Sequence, residues 1–364
     1  MDESDPEIVF NDDGICNHCL RYDRLLAARV FSGEEAKTKL KDIQNAIKQS
    51  SKGKEYDCII GVSGGVDSTY VAYLVKKVLG LNPLAIHFDN GWNSEIAVGN
   101  IERTLDSLGI DLYTFVIDWD EFKDLQISFL KASTPDGEIP TDHAINALLF
   151  REAAKRKIKY IINGMNFATE SMFVKRWAYG HSDWKYIKSI HKRFGSIQLK
   201  NYPHFSFFDL FRWTFIQRIK VISILNYIDY KKEDVKELIE KELGWVDYGG
   251  KHYESVYTRF YQGHILPVKF NIDKRRGHLS DLIRSGQITR EVALEEIKAP
   301  SYQDSLKRQD EIFVKKKFDL DDSSYLEIMN ASTKNFRQYP NNEKAVMRIK
   351  NLVNFMREKG FYSK

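Results

Sequence analysis

The sequence predicts an α/β protein built on a doubly wound, mostly parallel sheet, with a helical C-terminal region and a short N-terminal CxxC segment. Three observations carry this. Short apolar runs recur as YDCIIGV (56–62), LAIHFD (84–89), LYTFVI (112–117) and KYIING (159–164), the pattern of strands buried on both faces. Helical spacing of apolar residues fills the gaps between them, over 68–79, 94–108 and 142–155. A glycine-rich stretch, SGGVDST (63–69), sits directly between the first apolar run and the first of these helices. Such an alternation implies βαβ units whose ligand site lies at the carboxyl ends of the strands.

Residues 1–52 read as an N-terminal segment: NDDG (11–14), then CNHC (16–19), then a charged helical region. The α/β domain is expected over 53–170. Beyond it the strand signal fades, and 171–364 is expected to be a mainly helical domain for substrate or partner. PHFSFFDLFRW (203–213) and DYGGKHYES (247–255) are its most irregular pieces, because proline, glycine and bulky aromatics crowd together there.

A chain of 364 residues with 43% hydrophobic content can bury a substantial core. The net charge of +4, from 55 basic and 51 acidic residues, is too balanced to imply nucleic-acid binding. Three cysteines, Cys16, Cys19 and Cys58, make no disulfide framework, and no secretory leader is evident, so the expected location is cytoplasmic. The most apolar stretch, 205–228, is interrupted by Asp209, Arg212, Gln217, Arg218 and Lys220, so no spanning helix and no membrane partner are expected.

The glycine-rich loop has the chemistry of a polyphosphate cradle. Gly64 and Gly65 let successive N–H groups converge on one anion, Ser63, Ser68 and Thr69 add hydroxyls, and the following helix presents its positive end. A Walker A loop would require a lysine, which this loop lacks. Asp67 beside phosphates is repulsive unless a divalent cation lies between them, which makes it a Mg²⁺ ligand and a catalytic candidate. The plain alternative is a tight strand-to-helix turn with a serine cap.

The loop and its setting resemble the PP-loop ATP pyrophosphatases, a superfamily that includes asparagine, GMP and NAD synthetases and tRNA-thiolating enzymes. The resemblance implies ATP as substrate, with AMP and pyrophosphate as products. It also places His87, Asp89 and Asn90, in HFDNGW (87–92), and Gly164, in NGMNFATE (163–170), among the ATP-binding candidates. Glu170 would be the second Mg²⁺ carboxylate, although Thr169 stands where relatives carry an acid. Asp-Asn-Gly is also simply turn chemistry. In IPTDHAINALLF (139–150), Thr141 or Asp142 is the expected helix cap, and His143 in the first turn is more simply a packed residue than a ligand contact.

Further along, Lys251, His252, Glu254, Arg259, Lys269, Asp273, Lys274, Arg275 and Arg276 crowd together among Tyr253, Tyr257, Phe260, Tyr261 and Phe270. A solvated charged surface is the bland account. The aromatic interleaving favours a partly desolvated basic pocket, with Lys274 and Arg275 on the pyrophosphate. Asn166, Lys251, His252, Glu254, Arg259 and Arg276 are then the substrate-binding candidates.

SGGVDST, PLAIHFDNGWNSE, VIDWDEF, IPTDHA, KYIINGMN and the block from GWVDYGGKHYES to GQITREVALEEI together resemble the N-acetyl sugar amidotransferases of bacterial surface-polysaccharide and flagellin-sugar biosynthesis. This implies conversion of a sugar acetamido group to an acetamidino group, with ATP activating the amide oxygen and ammonia displacing AMP. None of the three cysteines has a nucleophile's setting. The resemblance accordingly implies a separate glutaminase subunit and a cyclase-like channel subunit, with an acetamido sugar or sugar nucleotide as substrate. It also implies that Cys16 and Cys19 are half of a four-cysteine Zn²⁺ site; alone, even with His18, they are poor geometry for zinc. Two other readings stay open: a tRNA-modifying PP-loop enzyme and a nucleotide-binding sensor.

Overall fold

The computed structural model describes residues 1–250 and 253–348. Five parallel strands form one sheet: β1 (Cys58–Gly61), β2 (Pro83–Asp89), β3 (Leu112–Val116), β4 (Tyr160–Asn163) and β5 (Lys220–Ser223), in the order β3-β2-β1-β4-β5. The chain moves outward from β1 to β3, then returns to the other side of β1 with β4 and β5. The topological switch therefore falls between β1 and β4, where an open parallel sheet leaves a crevice at its carboxyl ends.

The α/β architecture expected from the alternation is present, with two departures. Strand β5 comes from the apolar stretch after residue 170, so the sheet crosses the expected division of the chain. Strand β3, expected to be buried, is an edge strand with Leu112, Thr114 and Val116 exposed, because successive side chains point to opposite faces and the face these three share is left uncovered at the edge.

Around the sheet, α1 (Asn17–Arg29) and α2 (Gly33–Ser50) precede β1, and α3 (Val66–Tyr73) follows it and continues as a π-helical turn, Leu74–Val78. Helix α4 (Glu95–Leu108) links β2 to β3, while α5 (Trp119–Ala132) and α6 (Ile139–Lys155) link β3 to β4. Ser94 caps α4 by accepting the Ala97 N–H at 3.2 Å, and Gly109 ends it at φ +57°, a backbone state that favours glycine. Helix α6 begins earlier than Thr141 or Asp142 would have capped it, because Pro140 fits the first turn, where its missing N–H costs nothing.

After β4 come α7 (Phe167–Glu170), α8 (Trp184–Phe194) and α9 (Phe207–Phe211), the last running on as a π-turn, Arg212–Ile216, into β5. Helices α10 (Lys232–Leu243), α11 (Val256–Phe260), α12 (Leu266–Phe270), α13 (Arg275–Arg284), α14 (Arg290–Lys298), α15 (Asp304–Lys317) and α16 (Asp322–Asn330) follow β5. No helix among the described residues is long and apolar enough to cross a membrane.

Alternation along β1 feeds two cores. Ile59 packs with Ile86, Phe88, Phe122 and Phe129 on one face, and Cys58 and Ile60 pack with Val71, Ile101 and Ile239 on the other. Each fully buried aliphatic side chain contributes about 1.5–3 kcal/mol. Helices are needed on both faces for that reason.

His143 is fully buried in the first core. Its Nδ1–H donates to the His181 carbonyl at 2.6 Å and its Nε2 accepts the Phe205 N–H at 3.2 Å, with Trp184, Tyr202 and Phe205 stacked against the ring. It is a packed residue. Burial pushes its imidazole down from 6.5 to about 4, so the unfolded chain takes up this proton before the folded one does. The contribution is intact above about pH 6.5 and is lost as pH falls toward about 4, amounting to about 3 kcal/mol. We expect His143→Gln to flatten the pH dependence of stability in that window; denaturant unfolding with an unchanged slope would contradict this.

Candidate active site

The loop expected to cradle phosphates lies at the switch point. Gly64 has φ +77°, and a Cβ there would stand 2.2 Å from the Ala97 carbonyl oxygen, so only glycine fits. Trp245 Nε1–H and Asn100 Nδ2–H donate to the Gly64 carbonyl at 2.9 and 3.3 Å, anchoring the loop from outside. Within it, the Ser63 and Ser68 hydroxyls are 3.1 Å apart, and Ser68 also donates to the Gly65 carbonyl at 3.1 Å. Helix α3 begins at Val66, and the first N–H groups of a helix have no intrahelical acceptor. Hydroxyls, glycine backbone and a helix N-terminus thus meet at one point, an arrangement suited to an anion.

The cleft here is lined by Ser63, Gly65, Asp67 and Ser68 of the loop, by Thr169 and Glu170 after β4, and by Tyr230, Lys232, Tyr248, Glu254, His278 and Leu282 from later in the chain. Gly164 lets β4 close on α3: a Cβ there would lie 3.1 Å from the Asp67 carbonyl carbon and Cβ. Tyr230 donates its hydroxyl to Asp67. Burial, then the charge of Asp67, push the Tyr230 phenol well above its ordinary value, so it remains a donor. Tyr248 behaves likewise, through burial and then Glu254.

Two clamps hold the carboxylates. The segment at Glu254 pairs with the loop after β2: Ser94 N–H donates to the Glu254 carbonyl and Val256 N–H to the Trp92 carbonyl, both at 2.9 Å. The segment at Glu170 is held from α13, where Asp281 accepts the Ser171 hydroxyl at 2.9 Å and the Met172 N–H at 2.7 Å. The same helix places His278 and Leu282 in the cleft, coupling the C-terminal region to the loop.

Mg²⁺ is implied by the fold family, and the donor set suits it. Magnesium binds through one or two carboxylates plus phosphate oxygens and water rather than in an all-protein cage. Asp67 and Glu170 line one cleft, and among the described residues no group of three or more His, Cys, Asp or Glu forms such a cage.

Other expected site residues are placed elsewhere. His87 is buried against the Val62 carbonyl at 3.0 Å and Asn93 at 3.1 Å. Asp89 and Asn90 accept the N–H groups of Gly91 and Trp92 at 2.9 and 3.1 Å, which is turn chemistry. Asn166 caps α7 through Ala168 N–H at 2.9 Å. Thr69, expected in the cradle, is buried in α3 and absent from the lining.

The basic cluster does not converge on the loop. Lys274 pairs with Glu138 at 2.7 Å. Arg275 grips Asp273 and donates to the Ala299 carbonyl at 2.9 Å. Arg259 is bidentate to Asp310 at 2.7 and 2.8 Å, and Arg276 pairs with Asp2. None of the four lines the cleft; each is paired with a carboxylate, from a distant segment for Lys274, Arg259 and Arg276 and from two residues away for Arg275. Lys251 and His252 lie outside the described residues. The nitrogen-bearing side chains that line the cleft, Lys232 and His278, carry no local motif that could have marked them.

Cys16 and Cys19 lie at the start of α1 with their sulfurs 3.5 Å apart, while His18 is engaged with Asp5 at 2.6 Å. Cys58 is fully buried in β1, and burial pushes its thiol well up, away from the thiolate.

Residues 254–353 match the family model of the C-terminal domain of WbpG-like LPS biosynthesis proteins, and residues 38–134 match that of NAD synthase. No curated protein matches the chain significantly. Among solved structures, NMN synthetase from Francisella tularensis is 16% identical, covering 64% of this chain and 93% of that one at a TM-score of 0.32. The U34-tRNA thiolase NcsA from Methanococcus maripaludis is 14% identical, covering 68% and 77% at 0.34. A predicted tRNA methyltransferase subunit from Methanocaldococcus jannaschii is 17% identical, covering 50% and 72% at 0.29. Likenesses this distant say nothing about substrate. The chain thus combines a PP-loop fold of the NAD synthase kind with a C-terminal segment similar to the C-terminal domain of WbpG-like LPS biosynthesis proteins.

Proposed function

We propose that the protein is an ATP-dependent amidotransferase that converts the acetamido group of an N-acetylated sugar, free or nucleotide-linked, into an acetamidino group. One observation carries the reading: Glu254, His278 and Leu282, all within the segment matching the WbpG-like domain, share a cleft with the phosphate loop. A sugar held by the C-terminal domain would there meet the α-phosphate of an ATP held by the loop.

The chemistry follows from electrophilicity. An amide carbonyl is a poor target for ammonia, so its oxygen first attacks the α-phosphate and pyrophosphate leaves. Ammonia then adds to the activated carbon, and AMP departs with the former amide oxygen, leaving C=N in place of C=O. In this reading the loop N–H groups and the Ser63 and Ser68 hydroxyls hold the leaving pyrophosphate. The Lys232 ammonium offsets its growing charge and the His278 imidazole donates a hydrogen bond to it. Tyr230 keeps Asp67 oriented, and Asp67 with Glu170 would hold Mg²⁺, which neutralises phosphate charge when bound.

Ammonia is expected to arrive from a separate glutaminase through a channel subunit. The purified chain with ATP, Mg²⁺, ammonium and candidate acetamido sugars should release AMP and pyrophosphate and yield a product in which NH replaces oxygen, read by mass. The rate should climb with pH as the neutral ammonia fraction grows. Glutamine should support the reaction only with the glutaminase added. Efficient use of glutamine by the isolated chain would refute this division of labour.

A further inference from the structure

The stretch FFDLFRWTFIQRIK (207–220) plays no part in the proposed chemistry. Helix α9 and its π-turn form one helical run over 207–216, since Phe211 and Arg212 both keep right-handed helical dihedrals. Trp213 points inward and stacks on Phe150 at 5.3 Å. The opposite face is apolar and open: Phe208 is 71% exposed, Phe211 52%, Phe215 61% and Ile216 65%. Phe211 and Phe215 stack on each other at 5.0 Å, so the patch is contiguous. Exposed apolar patches of this kind mark an interaction surface.

Charge selects the occupant. Arg212, Arg218 and Lys220 are exposed beside the patch, whereas Asp209, the one acid in 207–220, is held in a capping box with Ser206. A second copy docking by the same face would bring these cations together across a two-fold axis. Phenylalanines without polar handles, bordered by guanidinium and ammonium groups, instead match a surface with an apolar interior and an anionic rim. We propose that this face docks peripherally on an anionic lipid bilayer, with the phenylalanines at the acyl boundary and the cations at the phosphates. This corrects the expectation of no membrane partner, which rests on the absence of a spanning segment; peripheral contact requires no span. The helix leads into the start of β5, whereas the cleft lies at the opposite, carboxyl ends of the strands, so docking leaves the cleft open. The inference is independent of the proposed amidine chemistry.

Co-sedimentation of the full chain with phosphatidylglycerol-containing vesicles tests it, with phosphatidylcholine vesicles as the control. Binding should be at least about tenfold stronger to the anionic vesicles and should weaken with salt. Phe211→Ser with Phe215→Ser, and separately Arg212→Glu with Arg218→Glu, should each reduce it about tenfold or more while leaving pyrophosphate release in solution unchanged. No sedimentation with anionic vesicles would overturn the proposal, and so would equal binding by both variant pairs. Light scattering that shows a dimer dissociated by the phenylalanine variants would assign the patch to a second copy instead.

Discussion

Asp67→Asn is expected to reduce pyrophosphate release by about 100-fold or more while leaving the melting temperature nearly unchanged. The substitution keeps the shape of the side chain and an oxygen that can still accept the Tyr230 hydroxyl. What it removes is the negative charge at the mouth of the loop, and with it the reason for a divalent cation to sit between protein and phosphates. Parallel measurement of turnover and thermal unfolding separates the two effects. Full turnover at saturating Mg²⁺ would remove Asp67 from the metal-binding role.

The second large effect concerns which side chains act on the pyrophosphate. Lys232→Ala and His278→Ala are each expected to lower kcat about 10-fold to 100-fold, since both residues line the phosphate cleft. Arg275→Ala should do the opposite. It empties a site where one guanidinium ties Asp273 to the carbonyl that ends α14, costing about 1–3 kcal/mol of stability with turnover per folded molecule preserved. Kinetics at matched folded fraction check the contrast. Wild-type kcat in both cleft variants, together with a collapse of kcat in Arg275→Ala, would restore the assignment first suggested by the sequence.

That contrast shows what the sequence makes legible. SGGVDST is readable because everything it needs is local: a strand before it, a helix after it, glycines where the backbone must bend and hydroxyls where an anion would sit. The four neighbouring strands of the parallel sheet announce themselves in the same local way. Strand β5 does not, because its four residues lie inside a longer apolar run whose aromatics obscure any boundary.

The remainder of the cleft is assembled from afar. Tyr230 reaches Asp67 across 163 positions, and Lys274 meets Glu138 across 136. Composition shows that residues 251–276 are rich in cations, but it cannot show which of them already have a carboxylate. The aspartate and asparagine at the end of β2 illustrate the reverse: side chains with ligand-like chemistry are used up on their own turn.

If ATP activates the amide oxygen of an acetamido sugar, the fate of that oxygen reveals it. An acetamido sugar labelled with heavy oxygen at the amide carbonyl should be incubated with the protein, ATP, Mg²⁺ and ammonium, and the AMP and sugar products analysed by mass. The label should pass to the phosphate of AMP as the amidine forms, because the bond from carbon to oxygen breaks while the bond from oxygen to phosphorus survives. AMP that carries no label while the acetamido group remains intact would contradict it.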